Sequence, residues 1–413
     1  MGSFCIRLNN FKDILLHTMP TTEMNRKKTI FYSYSSHVDQ VFLYKEHGEI
    51  PYYFSKPYGY RAIVDDYYDA NLPDAKYFRS VELQSYKHHN RLTKLQKIWK
   101  IFRMARKIDV LYLLSITPDS MYKMLAYRLG GGKGKIYLKL DLGIYSKDGK
   151  DLLKWENMSL FLKTVHFFFK PLPNVYTVET KRSYERLRNS YYGDLIERGK
   201  LFRLPNGFDS EILDEIGVTR RAVSDKEKTM ITVGRLGTHQ KNTELLLDVL
   251  LKVDLQDWKF YCIGPIEESF KDNIERFYAE HPEKKDSVIF TGMISQKEKF
   301  EYYDKARVFV LTSRHEGFAF ALVEAAYMKN YIVSTDVGGA EDVLDYTGGV
   351  LFEPEGDGVS REFAEEIQRI VSMSDAELDG LVEEDEREEM TWEYILSTNE
   401  AMSLLIKSKT SNK

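Results

Sequence analysis

Two stretches decide the fold: Thr232-Val-Gly-Arg-Leu-Gly-Thr-His-Gln-Lys-Asn242 and, further on, Leu311-Thr-Ser-Arg-His-Glu-Gly-Phe-Ala-Phe-Ala-Leu-Val-Glu-Ala-Ala326. In the first, an apolar strand enters a loop containing glycine, and a helix starts near Asn242. A loop feeding a helix N-terminus suits an anion, because unpaired backbone N–H groups and the helix dipole both favour negative charge. Arg235 and Lys241 flank the loop, one a planar fork and the other a point charge, and both fit a diphosphate. Taken alone, the segment reads equally well as two surface cations. In the second stretch Glu316 sits just before a predicted helix and Glu324 lies inside it. Eight residues of helical rise is about 12 Å, the span from a hexose to a ribose across a diphosphate. The helix start at Gly317-Phe318 lies between the acids, where its amides could hold phosphates. Alone, Glu324 reads as a salt-bridged helix residue.

Outward from these stretches, apolar runs alternate with amphipathic helical segments in both halves of the chain, the pattern of parallel α/β sheets. In the first half, 29–34, 109–115, 135–140 and 174–179 read as strands, with helices over 121–129 and 181–189. In the second, 230–233, 259–263, 287–290, 308–311 and 331–334 read as strands, with helices over 241–253, 318–328 and 361–373. The fold class is therefore α/β, with two doubly wound domains. A length of 413 residues agrees, since single cores stop growing at about 250–300 residues. The boundary is expected near 206–228, where Asn206-Gly207 signals a turn and Arg220–Lys228 lacks apolar periodicity. Residues 1–27 have no clear place.

Composition narrows the function. A net charge of −4, from 59 basic and 63 acidic residues, gives no pull toward nucleic acid, so no nucleic-acid partner is expected. Two cysteines, Cys5 and Cys262, exclude a disulfide framework and a cysteine-based zinc site. With no signal-peptide pattern and no 18-residue apolar run, a cytoplasmic protein is expected. The Gly130–Lys135 stretch lacks phosphate-loop spacing and precedes a strand, so it reads as a turn. No Gly-x-Gly-x-x-Gly follows a strand and no His spacing suits a metal.

The second half resembles the nucleotide-sugar domain of retaining, GT-B-fold glycosyltransferases of family 4, the glycosyl transferases group 1 family. Leu204-Pro-Asn-Gly-Phe-Asp209 resembles the family's interdomain turn, Gly234-Arg235-Leu236 through Lys241-Asn242 its diphosphate loop, and Phe290-Thr-Gly292 the border of the base pocket. Glu316-Gly-Phe through Glu324-Ala resembles its Glu-x7-Glu signature, with Asp336-Val-Gly-Gly339 following. The resemblance covers roughly 200–345 and implies two facing Rossmann-like domains: 1–210 on the acceptor side, 211–390 binding the nucleotide sugar, and 391–413 a helix packing back on the first domain plus a frayed tail. It implies that Arg235 and Lys241 neutralise the leaving diphosphate, Glu316 faces the donor sugar and Glu324 accepts from the ribose. Gly234, Gly292, Ser313 and the amides of Gly317, Phe318 and Ala319 would line the donor site. No metal or cofactor is implied, the nucleotide-diphosphate sugar being the donor substrate, and no enzymatic nucleophile is assigned. The alternative is a non-catalytic nucleotide-sugar-binding protein on the same fold.

The first half departs from the family. Its Gly-rich loop after the first strand is replaced by Tyr32-Ser-Tyr-Ser-Ser-His37, and the strand where a family histidine often sits ends in Asp141. Asp141, or less directly His37, is the candidate for that contact. Lys87–Lys107 carries eight Lys or Arg and no acid, with Leu92, Leu95, Ile98, Trp99 and Phe102 on one helical face. Such a helix suits an anionic membrane surface, where a lipid-linked acceptor would lie, so a peripheral position on the inner face of the cell membrane is expected. A helix merely covering the sheet is the bland alternative. Ser159–Phe169, rich in Phe, is a second candidate for such a surface, with core packing the stronger reading. The implied activity is transfer of a sugar from a nucleotide diphosphate to a glycan or lipid-linked acceptor in cell-surface polysaccharide assembly.

Overall fold

The computed structural model describes residues 26–68, 75–86, 91–140, 159–383, 385 and 387–407. The first sheet has eight strands: β1 Thr29–Val38, β2 Arg61–Tyr67, β3 Tyr77–Phe78, β4 Val81–Ser85, β5 Val110–Leu114, β6 Lys135–Lys139, β7 Val175–Val178 and β8 Leu201–Arg203. Their order is β3-β4-β2-β1-β5-β6-β7-β8, parallel except for the β3–β4 pair. The second has six, all parallel: β9 Glu227–Val233, β10 Lys259–Ile263, β11 Val288–Gly292, β12 Ala306–Leu311, β13 Tyr331–Thr335 and β14 Gly349–Phe352. Its order, β11-β10-β9-β12-β13-β14, is that of a doubly wound nucleotide-binding sheet, with the switch point between β9 and β12.

Helices cover both faces of each sheet, so the central strands are apolar throughout: every residue of Val110–Leu114 and of Ala306–Leu311 is buried, Arg307 included. Arg307 is tolerated because its guanidinium reaches Asp379 at 2.6 Å.

The chain crosses between sheets twice, side by side. Phe208 N donates to Met390 O at 2.7 Å and Trp392 N to Phe208 O at 3.0 Å. Gly207 is required there, since a Cβ would lie 2.7 Å from Trp392 N. Beyond that crossing, Trp392, Ile395, Leu396, Met402 and Leu405 of the Trp392–Thr398 and Glu400–Ile406 helices join the first sheet's core. Polar contacts brace the cleft between the sheets. Lys181 N, at the start of the Lys181–Arg188 helix, donates to Asp342 Oδ1 at 3.0 Å, and Arg182 meets Asp336 at 2.7 Å.

Two expectations need correcting. The helix after Glu316 begins only at Phe320 (Phe320–Tyr327), because Glu316–Ala319 form a loop. Helical rise therefore separates only Phe320 from Glu324, about 6 Å. The Leu160–Phe169 helix is not simply core: Phe169 packs inward, but Phe167 and Phe168 face solvent.

Candidate active site

The carboxyl ends of β9 and β12 emerge side by side, and the loops that follow them are joined by hydrogen bonds. Arg314 N donates to Gln240 O at 2.8 Å, the Arg314 guanidinium to His239 O at 2.7 Å, and Thr312 Oγ1 to the carbonyls of Lys241 and Asn242 at 3.2 Å. Asn242 takes a left-handed conformation as the chain enters the Thr243–Lys252 helix, a geometry that Asn tolerates better than most residues.

This pairing converges on Glu316. Its carboxylate accepts from Lys241 Nζ at 2.7 Å, Ser313 Oγ at 2.8 Å and Gln240 Nε2 at 3.0 Å. Gly338 approaches from the following loop, where a Cβ would lie 2.3 Å from Gly317 O and 2.4 Å from Glu316 O. Only glycine fits there, so Gly338 packs directly beneath the Glu316 turn. Sequence reasoning passed over Gln240 and Arg314, although both lie inside the quoted stretches.

The predicted residues divide three ways. Lys241, Ser313 and Glu316 come together as a hydrogen-bonded unit, with Ser313 wholly buried. Arg235 is exposed, and among the described residues its guanidinium has no hydrogen bond or ion pair. Two backbone amides are already engaged, Gly234 N with Ile263 O at 3.0 Å and Ala319 N with Gly338 O at 3.2 Å. As the site stands, Ala319 N is thus not offered to a phosphate, contrary to the sequence expectation. Gly317 and Phe318 stand in the turn before the Phe320–Tyr327 helix. Gly292 ends β11.

Glu324, on that helix, is paired with Lys299 at 2.7 Å. Lys299 belongs to the Gln296–Lys305 helix and lies over the Phe300 ring. No local sequence signal marks it, because the partnership is made only by packing. Asp141 and the side chain of His37 lie outside the described residues.

The first sheet carries a different surface. The Arg91–Met104 helix buries Thr93, Lys97 and Ile101 and leaves Leu92, Leu95 and Trp99 62, 63 and 59% exposed. Lys97 and Lys123 turn inward to the Tyr34 carbonyl, at 3.3 and 2.8 Å. Tyr122, Leu125 and Leu129, exposed on the adjacent Pro118–Leu129 helix, extend the apolar face. Arg91, Lys94, Arg103, Arg106 and Lys107, on this helix and the turn after it, are exposed as well.

Two parallel α/β sheets facing across a cleft, with a doubly wound switch point on the second, define the GT-B fold. Two solved structures share it: a glycosyltransferase from Rickettsia africae (TM-score 0.60, 14% identity, covering 92% of this chain and 96% of that one) and Anabaena Alr3699/HepE in complex with UDP (TM-score 0.59, 16% identity, 91% and 94%). Residues 227–373 match the family model for glycosyl transferases group 1. The amylovoran biosynthesis glycosyltransferase AmsD of Erwinia amylovora is 36% identical over 138 residues, 31% of this chain and 37% of AmsD. The match thus spans little more than a third of that relative's length.

Proposed function

We propose that this chain is a retaining glycosyltransferase that moves a hexosyl group from a nucleotide-diphosphate sugar to a glycan or lipid-linked acceptor, in cell-surface polysaccharide assembly. The observation that carries the reading is the convergence of Lys241, Gln240 and Ser313 on Glu316 at the switch point of the second sheet. Open doubly wound sheets bind their ligands there. The likeness to AmsD and to a UDP complex supports the same reading.

In this reading residues 211–390 hold the donor and 1–210 the acceptor, with the C-terminal helices returning to the first domain. Lys241 and Arg235 neutralise the charge that develops on the leaving diphosphate. Glu316 accepts from the donor sugar's hydroxyls and Glu324 from the ribose. Gly234, Gly292, Gly317 and Phe318 line the donor, and Asp141 supplies the polar contact from the first domain. The chemistry requires no metal or other cofactor. Closure of the cleft excludes water and limits hydrolysis. The exposed apolar face around Trp99, on a helix that also exposes cations, supports a peripheral position on an anionic membrane where lipid-linked acceptors lie.

The test is a thermal-shift titration with UDP, GDP, ADP and CDP on the wild type and on Lys241→Ala. A ligand at 100 times its dissociation constant adds about 2.7 kcal/mol of stability. One of the diphosphates is expected to raise the wild-type melting temperature, and Lys241→Ala to lose the effect. No shift at millimolar concentration with any of the four rejects the donor site. Binding without release of nucleotide from any nucleotide sugar favours a non-catalytic binding protein.

A further inference from the structure

The first sheet also brings a cation to this site. In the short connection between β1 and the Glu46–Ser55 helix, Lys45 immediately precedes that helix, its backbone fixed by bonds from Gly48 N and Glu49 N to its carbonyl. Its neighbour Tyr44 packs against the cores of both sheets, so the turn sits where the two meet. The ammonium of Lys45 lies 4.7 Å from the centre of the Phe320 ring and 5.2 Å from that of Phe42. Phe320 is the first residue of the helix that follows Glu316–Ala319, and it packs against the core of the opposite sheet.

Two features make this more than packing. Among the described residues Lys45 has no carboxylate partner and no side-chain hydrogen bond, although the neighbouring Glu46 and Glu49 are paired with Lys139 and Arg79. Its position over the Phe320 ring also sets it against the start of the helix that follows Glu316, from the first sheet's side. A cation held over aromatic faces is bound less strongly than one hydrogen-bonded to phosphate oxygen. The ammonium can therefore leave the rings for an anion without breaking an ion pair.

We infer that Lys45 is a further contribution of the first domain to the donor site, a cation that contacts the diphosphate of the bound nucleotide from across the cleft. The inference rests on the donor-site reading above. It also supplies a role that this chain's first strand, lacking a Gly-rich loop, leaves open. Because the contact would span the cleft, Lys45 would couple diphosphate binding to closure.

The test is isothermal titration calorimetry on the full chain, using whichever of UDP, GDP, ADP and CDP binds, together with the parent nucleoside. The proteins are the wild type, Lys45→Met, Lys45→Gln and Lys45→Arg. Met keeps the apolar stem over the rings, and unliganded melting temperatures report whether each variant is folded. Both neutral variants are expected to bind the diphosphate about tenfold more weakly, the nucleoside equally well, and Arg to recover most of the loss. Wild-type diphosphate affinity in either folded neutral variant overturns the inference, as does an equal loss for the nucleoside, which would mean a structural role. If Lys241→Ala loses binding while Lys45→Met does not, only this inference falls. If the wild type binds none of the four, the donor-site reading falls with it.

Discussion

Lys241 Nζ lies 2.7 Å from Glu316 Oε1, so the two residues assigned to adjoining parts of the donor, its diphosphate and its sugar, neutralise each other in the unliganded protein. Both side chains are mostly buried, at 19 and 10% exposure, so the pair is poorly screened. In the proposed reading an incoming diphosphate draws Lys241 away from Glu316, and the freed carboxylate is then available to the sugar's hydroxyls. Binding and sugar positioning are therefore linked through one ion pair.

The linkage predicts opposite effects for Glu316→Gln. Removing the carboxylate charge releases Lys241, so the free nucleoside diphosphate is expected to bind at least as tightly as to the wild type. Sugar transfer is expected to fall by roughly 10² or more, the scale for misplacing a reacting group, because the sugar loses the carboxylate that positions it. Calorimetry with the diphosphate and turnover of the nucleotide sugar check the two halves separately. A parallel loss of both would mean that Glu316 simply holds the loop.

Glu324 makes a second, separable prediction. Its pairing with Lys299 at 2.7 Å fixes the carboxylate at one end of the site. If Glu324 accepts from the ribose hydroxyls, the wild type should prefer a ribonucleoside diphosphate over its 2′-deoxy analogue by about tenfold. Glu324→Ala, which removes the acceptor, should bind both alike. Lys299→Met should weaken the preference without abolishing it, because it removes the orienting partner and leaves the acceptor. Competition titrations with the two analogues give the ratio directly.

How much of this was legible depends on where the signal lay. Central strands such as Val110–Leu114 and Ala306–Leu311 are continuous apolar runs because helices cover both sheet faces, so their sequence marks them. β2 and β4 escaped the strand reading because charged and polar residues keep each apolar run short: Arg61-Ala-Ile-Val-Asp-Asp-Tyr67 and Val81-Glu-Leu-Gln-Ser85. In the site, Lys241 and Glu316 were legible because each sits in a loop before a helix. Gln240 lay within the same loop but carries no charge to single it out, and Lys299 and Lys45 reach the site only through packing between elements distant in sequence. The start of the helix at Phe320 was missed because Gly317-Phe318-Ala319 has the apolar character of a first helical turn while its backbone is spent on the Gly338 contact.

The Arg91–Met104 helix yields a prediction about location. Leu92, Leu95 and Trp99 face solvent while Lys97 and Thr93 are buried, so the helix turns its apolar side outward. Cations near an anionic lipid surface contribute about 1 kcal/mol each, and buried apolar area adds to that. The full chain is expected to sediment with vesicles containing phosphatidylglycerol and far less with pure phosphatidylcholine. Leu95→Glu/Trp99→Glu should abolish sedimentation while leaving the nucleotide-induced thermal shift intact. Retained sedimentation in that variant would assign the face to another partner.

Arg79 joins the two domains, and its network predicts a pH dependence of known sign. Its guanidinium reaches Glu49 at 3.1 Å, Asp209 at 2.8 Å and Glu215 at 2.8 Å, with Glu211 at 3.7 Å. Burial, reinforced by the charge of Asp209, pushes the Glu49 carboxyl well above its ordinary range. Burial also raises Asp209, against the pull of Arg79. Carboxyls raised in the folded state stabilise it below the unfolded value of about 4, and that stability is lost as pH rises through the folded value. Without Arg79 both groups rise further. Arg79→Met should therefore cost about 3–5 kcal/mol near pH 8, the scale for breaking a buried ion pair, and less near pH 5, where protonation relieves the uncompensated acids. Urea unfolding of the wild type and variant at several pH values between these limits gives the difference. A deficit that stays constant with pH would show that Arg79 acts by packing on Tyr52 and Phe78, and that the four acids do not depend on it for their charge.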